Sequence, residues 1–421
     1  MAGQTMAEKL LARASGEARL RAGAIVDVPL DWIMIHEGIA WGVAKAVQQI
    51  GADTLAHPEK VVALLDHLAP PPDVKAAEMH QMCRQFVERF SITHFHDMRR
   101  GICHQVMVEE YARPREIIVG SDSHTTTYGA LASFAAGLGF TDVAVALVTG
   151  RTWFKVPETI RIDVSGRFGD GISAADAALA LLGLLGADGA AYMACEFGGS
   201  LDALHMSARF TLCNLAAEMG AKVALMPPDG ATVEFLARHN RPATPDAGEL
   251  APDPDAVYRR RIGLDLGALV PMVALPPSPD RVRPVAEVEP VRVDQVFIGG
   301  CANGRLEDMR AAARLLRGRK VNPHTRLIVV PASYEVMRQM SHEGILDTLI
   351  DAGAVIGPPT CGPCFGGHFG LLAADEVCVS TGTRNFVGRM GSDRASIYLA
   401  SPYTAAASAV AGHLADPRTL F

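Results

Sequence analysis

Asp294-Gln-Val-Phe-Ile-Gly-Gly-Cys301-Ala-Asn-Gly-Arg-Leu-Glu-Asp-Met-Arg-Ala-Ala-Ala-Arg-Leu-Leu316 reads as one strand–turn–helix unit. Asp294 to Gly300 is short and apolar and ends in two glycines, which fits a buried strand. Cys301 to Gly304 make the turn, and Arg305 to Leu316 place apolar residues at helical spacing. The next unit has Arg326-Leu-Ile-Val-Val330 as strand and a helix from about Tyr334 to Ala352. Upstream, Glu59 to His67 reads as helical through Val61, Val62, Leu64 and Leu65. Glu116-Ile-Ile-Val-Gly120 reads as a strand running into the polar loop Ser121-Asp-Ser-His-Thr125. This alternation predicts α/β layers, and open α/β sheets bind ligands just past the C-terminal ends of their strands.

Two breaks divide the chain. A new strand opens at Val156-Pro-Glu-Thr-Ile-Arg-Ile-Asp-Val, and six prolines between Leu269 and Pro290 read as an extended linker. The expected units are therefore residues 1–157, 158–287 and 288–421. Asn240 to Asp255, rich in Pro, Asp and Ala, reads as a surface excursion.

Composition narrows the function classes. The chain has 421 residues, is 49% hydrophobic and 20% charged, and carries a net charge of −7. Its longest basic run is Arg259-Arg260-Arg261, which disfavours nucleic acid as a partner. Cys83, Cys103, Cys195, Cys213 and Cys378 are scattered and do not resemble a disulfide framework. No basic, apolar leader opens the sequence, and no apolar run reaches the roughly 18 residues of a membrane span. A reducing, cytoplasmic setting without membrane contact is expected.

Three cysteines carry the chemistry: Cys301 in its glycine-flanked turn, and Cys361 with Cys364 in Gly357-Pro-Pro-Thr-Cys-Gly-Pro-Cys-Phe-Gly-Gly-His368. Bare backbone around them lets a bulky inorganic group approach. A C-x-x-C pair alone suits redox dithiols, zinc and iron–sulfur clusters. Gly366-Gly367 oppose the helix that a redox dithiol opens, while zinc stays open with His368 as a fourth ligand. On a four-iron cluster, three cysteines would leave one iron without a protein ligand, the open position that a catalytic metal uses. Asp66-His67, His104-Gln105, Asp122-Ser123-His124 and Cys213-Asn214 to Glu218 gather imidazoles, carboxylates and amides. Singly, each is more often a surface pair than a catalyst; Asp122-Ser123-His124 stands out because it follows a strand. Arg384 and Arg389, on a glycine-rich loop, suit bidentate carboxylate binding, with an ordinary surface ion pair as the plain alternative.

Taken in order, these motifs resemble the aconitase family, in its branch of 3-isopropylmalate dehydratase large subunits. The matching stretches are Gly101-Ile-Cys-His-Gln, Gly120-Ser-Asp-Ser-His-Thr, Thr141-Asp, Thr149-Gly, Trp153 and Arg209 to Ala221. They continue through Cys301-Ala-Asn-Gly-Arg-Leu-Glu-Asp-Met-Arg, Cys361 to His368 and Arg384-Asn-Phe-Val-Gly-Arg-Met-Gly. The resemblance implies three αβα domains around a cleft holding a 4Fe–4S cluster on Cys301, Cys361 and Cys364. It also implies the carboxylate–imidazole pairs Asp66–His67, His104–Asp122 and His124–Glu218, with Ser123 among them. Asn214 and Asn303 would lie beside the cluster, and Arg384 and Arg389 would face a substrate carboxylate.

The implied reaction is a hydro-lyase isomerisation of 2-isopropylmalate and 3-isopropylmalate by dehydration and rehydration, as in leucine biosynthesis. His67 would be the acid for the departing hydroxyl. The family's swivelling domain, which supplies the serine base, has no counterpart up to Phe421, so a separate small-subunit partner is expected. The substrate would be a small hydroxy-di- or tricarboxylate. Related dehydratases of homocitrate, citramalate or dimethylmalate are the near alternatives, and a cluster-free RNA-binding or zinc protein the remote ones. The family's usual Ser-Cys-Thr-Asn-Gly, Asn-Arg-Asn-Phe and His-Asp-x-Thr read here Gly300-Cys-Ala-Asn-Gly, Thr383-Arg-Asn-Phe and His36-Glu-Gly-Ile. Trp41 and Ser207-Ala208 are further departures.

Overall fold

The structure, a computed structural model, describes residues 3–242 and 249–421. Its first sheet has five parallel strands in the order His94–Asp97, Val61–Leu65, Trp32–His36, Ile117–Gly120, Phe134–Gly137. A second, four-stranded parallel sheet runs Val223–Leu225, Ala194–Gly199, Thr159–Ser165, Arg260–Asp265. The third has seven strands, ordered Val282–Pro284, Met272–Ala274, Ser396–Ala400, Val377–Ser380, Gln295–Gly299, Arg326–Val330, Val355–Ile356. Met272–Ala274 is antiparallel to both its neighbours, and the last five strands are parallel. Parallel strands need helical crossovers and burial on both faces, so strands such as Ile117–Gly120 and Gln295–Gly299 are buried at every position. An antiparallel ribbon, Ile25–Pro29 with Arg151–Lys155, joins the two ends of the first layer.

Three expectations change. Glu59 to His67 is not helical: Pro58–Lys60 makes one turn, and Val61–Leu65 is a central strand buried at every residue. A continuous apolar run fits a buried strand as well as a helix face, and pairing on both edges decides it. Asp66 and His67 therefore leave the C-terminal end of a parallel strand. The segment Tyr334 to Ala352 is two helices, Tyr334–His342 and Ile345–Ala352, because Gly344 takes a left-handed conformation (φ 66°) between them. The proline-rich Leu269 to Pro290 is not a free linker, since it contributes Met272–Ala274 and Val282–Pro284 to the edge of the third sheet. Proline, lacking a donor, is tolerated at such an edge.

Of the expected excursion 240–255, residues 243–248 lie outside the described residues. Its flanks are fastened: Arg241 donates to the Ala112 carbonyl (2.7 Å), and Asp253 pairs with Lys9 (2.7 Å). One apolar core cluster contains Met34 and Val62 of the first sheet, Ile160 and Phe197 of the second, and Cys301, Ala302 and Cys361. Cys301 and Cys361 thus pack into a core shared with the first two sheets, and Cys364 packs with Phe297 and Val330 of the third. No helix among the described residues is long and apolar enough to cross a membrane.

Candidate active site

Five site segments follow the C-terminal ends of parallel strands. His36 closes Trp32–His36, Asp66-His67 follow Val61–Leu65, and Asp122-Ser123-His124 follow Ile117–Gly120. Cys301 follows Gln295–Gly299, and Thr381 to Arg384 follow Val377–Ser380. Asn214 and Glu218 come from the helix Met206–Leu215 and the turn Ala216–Met219. That helix is held by fully buried Arg209, which grips Asp229 with both terminal nitrogens (2.8 and 2.6 Å).

Hydrogen bonds order the imidazoles. His67 Nδ1 lies 2.9 Å from Asp66 Oδ1, and Asp66 Oδ2 accepts the Cys103 amide at 2.6 Å. His104 Nε2 meets Asp122 Oδ1 at 2.8 Å, with its Nδ1 3.0 Å from the Tyr128 hydroxyl. His124 Nδ1 lies 3.2 Å from the same Asp122 oxygen, and its Nε2 lies 2.8 Å from Glu218. Arg384 donates to Glu218 (3.0 Å) and to the Ser123 hydroxyl (2.8 Å). Arg389 lies with its guanidinium over the Phe365 ring, and its buried Nε has no partner. Asn214 Nδ2 is 3.4 Å from Cys301 Sγ, and Asn303 donates to the Thr381 carbonyl (2.9 Å).

Burial and charge pull these groups apart. Burial pulls His67 down, but the Cys361 sulfur and the Asp66 carboxylate hold it well above the usual imidazole range. Burial likewise opposes the charge on His124, yet Asp122 and Glu218 together push it up to about 9. His104 is pulled down by burial, which outweighs its single carboxylate partner. His36, stacked on His67 with ring centroids 3.9 Å apart, falls to about 4 through burial and that neighbour. Asp122, despite burial, stays well below the carboxylate range through hydrogen bonds from both imidazoles. Thus His67 and His124 carry protons near neutral pH while His36 and His104 are neutral.

The three cysteines are buried, from two different loops, and sense one another: burial and the other two sulfurs push the Cys301 thiol well above its ordinary range. Burial pushes Cys361 to about 11, against the pull of His67. Such thiols ionise when a metal centre takes their charge. The surroundings fit an inorganic group. Gly300 (φ 86°) leads into Cys301, and a Cβ on Gly382 would stand 3.1 Å from Cys364 Sγ. Asn303 Oδ1 and Thr383 Oγ1 are buried without a partner.

Zinc fits less well. Zn–S bonds of about 2.3 Å in a tetrahedron set sulfurs about 3.8 Å apart. The three cysteines are not among the described groups whose ligand atoms all lie within 4.8 Å of one another. His368, expected as a possible fourth zinc ligand, instead places Nε2 2.6 Å from the Pro70 carbonyl. In the tight group His36, Glu37, Asp66 and His67 the carboxylates are engaged by the protein itself: Glu37 accepts three backbone amides, and Asp66 takes the Cys103 amide and the His67 ring.

A family model of the aconitase family (aconitate hydratase) matches residues 23–292 and 286–412. The chain belongs to the aconitase family. It is 48% identical to a 3-isopropylmalate dehydratase large subunit 1 of Methanopyrus kandleri over 418 residues, 99% of each chain. It is also 48% identical to the homoaconitase large subunit of Thermus thermophilus, covering 99% of this chain and 98% of the relative. Among solved structures, aconitase X of Thermococcus kodakaraensis aligns over 92% of both chains with TM-score 0.52 and 14% identity, a likeness of fold.

Residues to which the sequence reading gave no chemical role, His36, Glu37 and Gln105 of its motifs among them, complete the site. Glu37 accepts the backbone amides of Asp66 (3.0 Å), His67 (2.7 Å) and Leu68 (2.7 Å), so it fixes the segment that presents His67. The Asp66 carbonyl in turn accepts the Cys361 amide (3.0 Å), tying that segment to the cysteine loop. His36, Tyr128 and Gln105 are equally embedded. Beyond the motif, the sequence signal at His36 and Glu37 is polarity at the end of an apolar strand, which they share with Asp66 and His67.

Proposed function

We propose that this aconitase-family chain is the large subunit of a hydro-lyase that interconverts 2-isopropylmalate and 3-isopropylmalate by removing and re-adding water. The observation that carries this reading is the convergence of Cys301, Cys361 and Cys364 with a protonated imidazole, His67, and a carboxylate-binding arginine, Arg384. Cys301, Cys361 and Cys364 would hold a 4Fe–4S cluster, with Asn214 and Asn303 beside it. When bound, that cluster supplies a Lewis-acidic iron free of protein ligands, which draws charge from the substrate hydroxyl.

The chain's own residues do the rest. His67, oriented by Asp66, holds a proton for the leaving hydroxyl, a contribution of typically about 10²–10⁴-fold. Arg384 exchanges its contacts with Glu218 and Ser123 for a substrate carboxylate, with Arg389 as a second donor. There it stabilises the negative charge that grows as the neighbouring C–H proton leaves. His104 with Asp122, and His124 with Glu218, would line the cleft beside Cys301, with one ligand atom of each imidazole within 4.8 Å of its sulfur. A small-subunit partner bearing the swivelling domain supplies the base, and the full set of eight free thiols fits a cytoplasmic setting.

The equal identity to a homoaconitase large subunit makes a homocitrate-type dehydratase the second reading. Co-purification with a small subunit under anaerobic conditions tests both. Turnover of 2-isopropylmalate by the complex, and none by this chain alone, supports the first. Turnover of homocitrate in its place supports the second, and turnover by the isolated chain refutes the division of labour.

A further inference from the structure

Arg305 is 2% exposed and stands four residues beyond Cys301. Its Nη2 donates to the Cys301 carbonyl (2.8 Å) and its Nη1 to the Ala302 carbonyl (2.7 Å), so the planar fork grips the turn that presents the sulfur. Its Nε donates to Gln105 Oε1 (3.0 Å), in the first layer, and Nη1 reaches Thr211 Oγ1 (3.5 Å), in the second. The guanidinium lies 5.1 Å from the Phe210 ring centroid. Gln105 is itself braced: it donates to Glu109 (2.8 Å), which also accepts from Ser333 (2.9 Å), the cap of the helix Tyr334–His342. One side chain thus joins the three sheet units at the backbone of a candidate cluster ligand.

Those four acceptors are all neutral oxygens. A buried guanidinium ordinarily meets a carboxylate, because an uncompensated charge costs several kcal/mol. Asp308 is the carboxylate that acts most on the guanidinium, but it accepts only the Arg305 backbone amide (3.0 Å), and the Cys301 sulfur also favours the charge. Three thiolates around an iron–sulfur core would form an anionic assembly that adds to this counter-charge.

We infer that Arg305 is a positioning and charge-compensating residue for the cluster: it fixes the Cys301 turn and sets how readily the cluster accepts an electron and keeps its exposed iron. This inference rests on the cluster proposed above. Net charge and hydrogen bonding around the sulfurs are the levers by which a protein tunes such a centre. A nearby positive charge favours the electron-rich form, and outer partners of metal ligands typically change affinity by about 10–100-fold.

The test uses anaerobically purified R305M and R305K chains beside the wild type. Reduction potential is read by redox titration, and iron release by the rate at which a chelator removes the labile iron. R305M, which loses charge and fork, is expected to have a lower potential and to release iron about tenfold faster or more. R305K, which keeps the charge and loses the fork, is expected near the wild-type potential with faster release. Wild-type potential and release rate in R305M would overturn the inference. If R305M does not fold, R305K carries the test, and wild-type release in R305K overturns the inference too. A wild-type chain with no iron and sulfide refutes the cluster reading itself, before any variant is compared.

Discussion

Replacing Glu37 by glutamine changes one oxygen to an amide nitrogen and leaves the volume alone. In the native site Oε1 accepts the His67 and Leu68 amides, both at 2.7 Å, and Oε2 accepts the Asp66 amide at 3.0 Å. A glutamine oxygen can keep the first two donors, which turns its NH2 toward the Asp66 N–H, donor against donor. The loss is one charge-assisted hydrogen bond, about 1.5–3 kcal/mol, plus part of the roughly 1–3 kcal/mol for a buried donor left unpaired. Together the segment Asp66 to Leu68 loses about 3–4 kcal/mol of local stability. At 1.4 kcal/mol per tenfold, its amides should exchange with solvent roughly 10²–10³-fold faster, read by hydrogen exchange on the peptide spanning Val61 to Ala69. In the assembled enzyme kcat should fall about 10²-fold, since a displacement of about 1 Å in a positioned group costs that much. Exchange slower than tenfold above wild type, with kcat unchanged, would show that Glu37 does not hold His67 in place.

Other changes have equally definite outcomes. Glu109 is pushed up to about 7, chiefly by burial, from an ordinary value of 4.5. It therefore takes up a proton on folding: its contribution is full below pH 4.5 and is lost as pH rises to about 7. E109Q keeps the acceptor for Gln105 and Ser333 without the charge. Chemical unfolding should find it more stable than wild type by about 3 kcal/mol at pH 8, with little difference at pH 4.5. R384K keeps the charge but loses the two-pronged grip, so KM of the complex should rise about 10–100-fold with unchanged thermal stability. An unchanged KM in R384K would remove Arg384 from substrate binding.

How much of this was legible in the sequence depends on whether the decisive partner is local. The strand at Gln295–Gly299 and the helix Leu306–Leu316 follow from apolar period and glycine punctuation alone. The strand Val61–Leu65 did not, because five apolar residues in a row fit a helix and a buried strand equally, and only two parallel neighbours separate them. Gly344 shows the same limit: its left-handed turn splits a segment whose apolar spacing is continuous. Ordered motifs named the residues of the three imidazole pairs through family resemblance. The contacts of Glu37 with residues about thirty positions on, and of Arg305 with Gln105 two hundred positions back, leave no local pattern. The sequence marked Arg305 only as the start of a helix, and its burial shows only in the packed interior.

The most direct measurement is iron, sulfide and zinc content with Mössbauer spectra of the anaerobically purified chain and its small-subunit complex, before and after a hydroxy-diacid is added. About four irons and four sulfides per chain, with one iron's spectrum shifting on addition, is the expected result. One zinc and no sulfide, or a cluster whose four irons ignore the hydroxy-diacid, would contradict it.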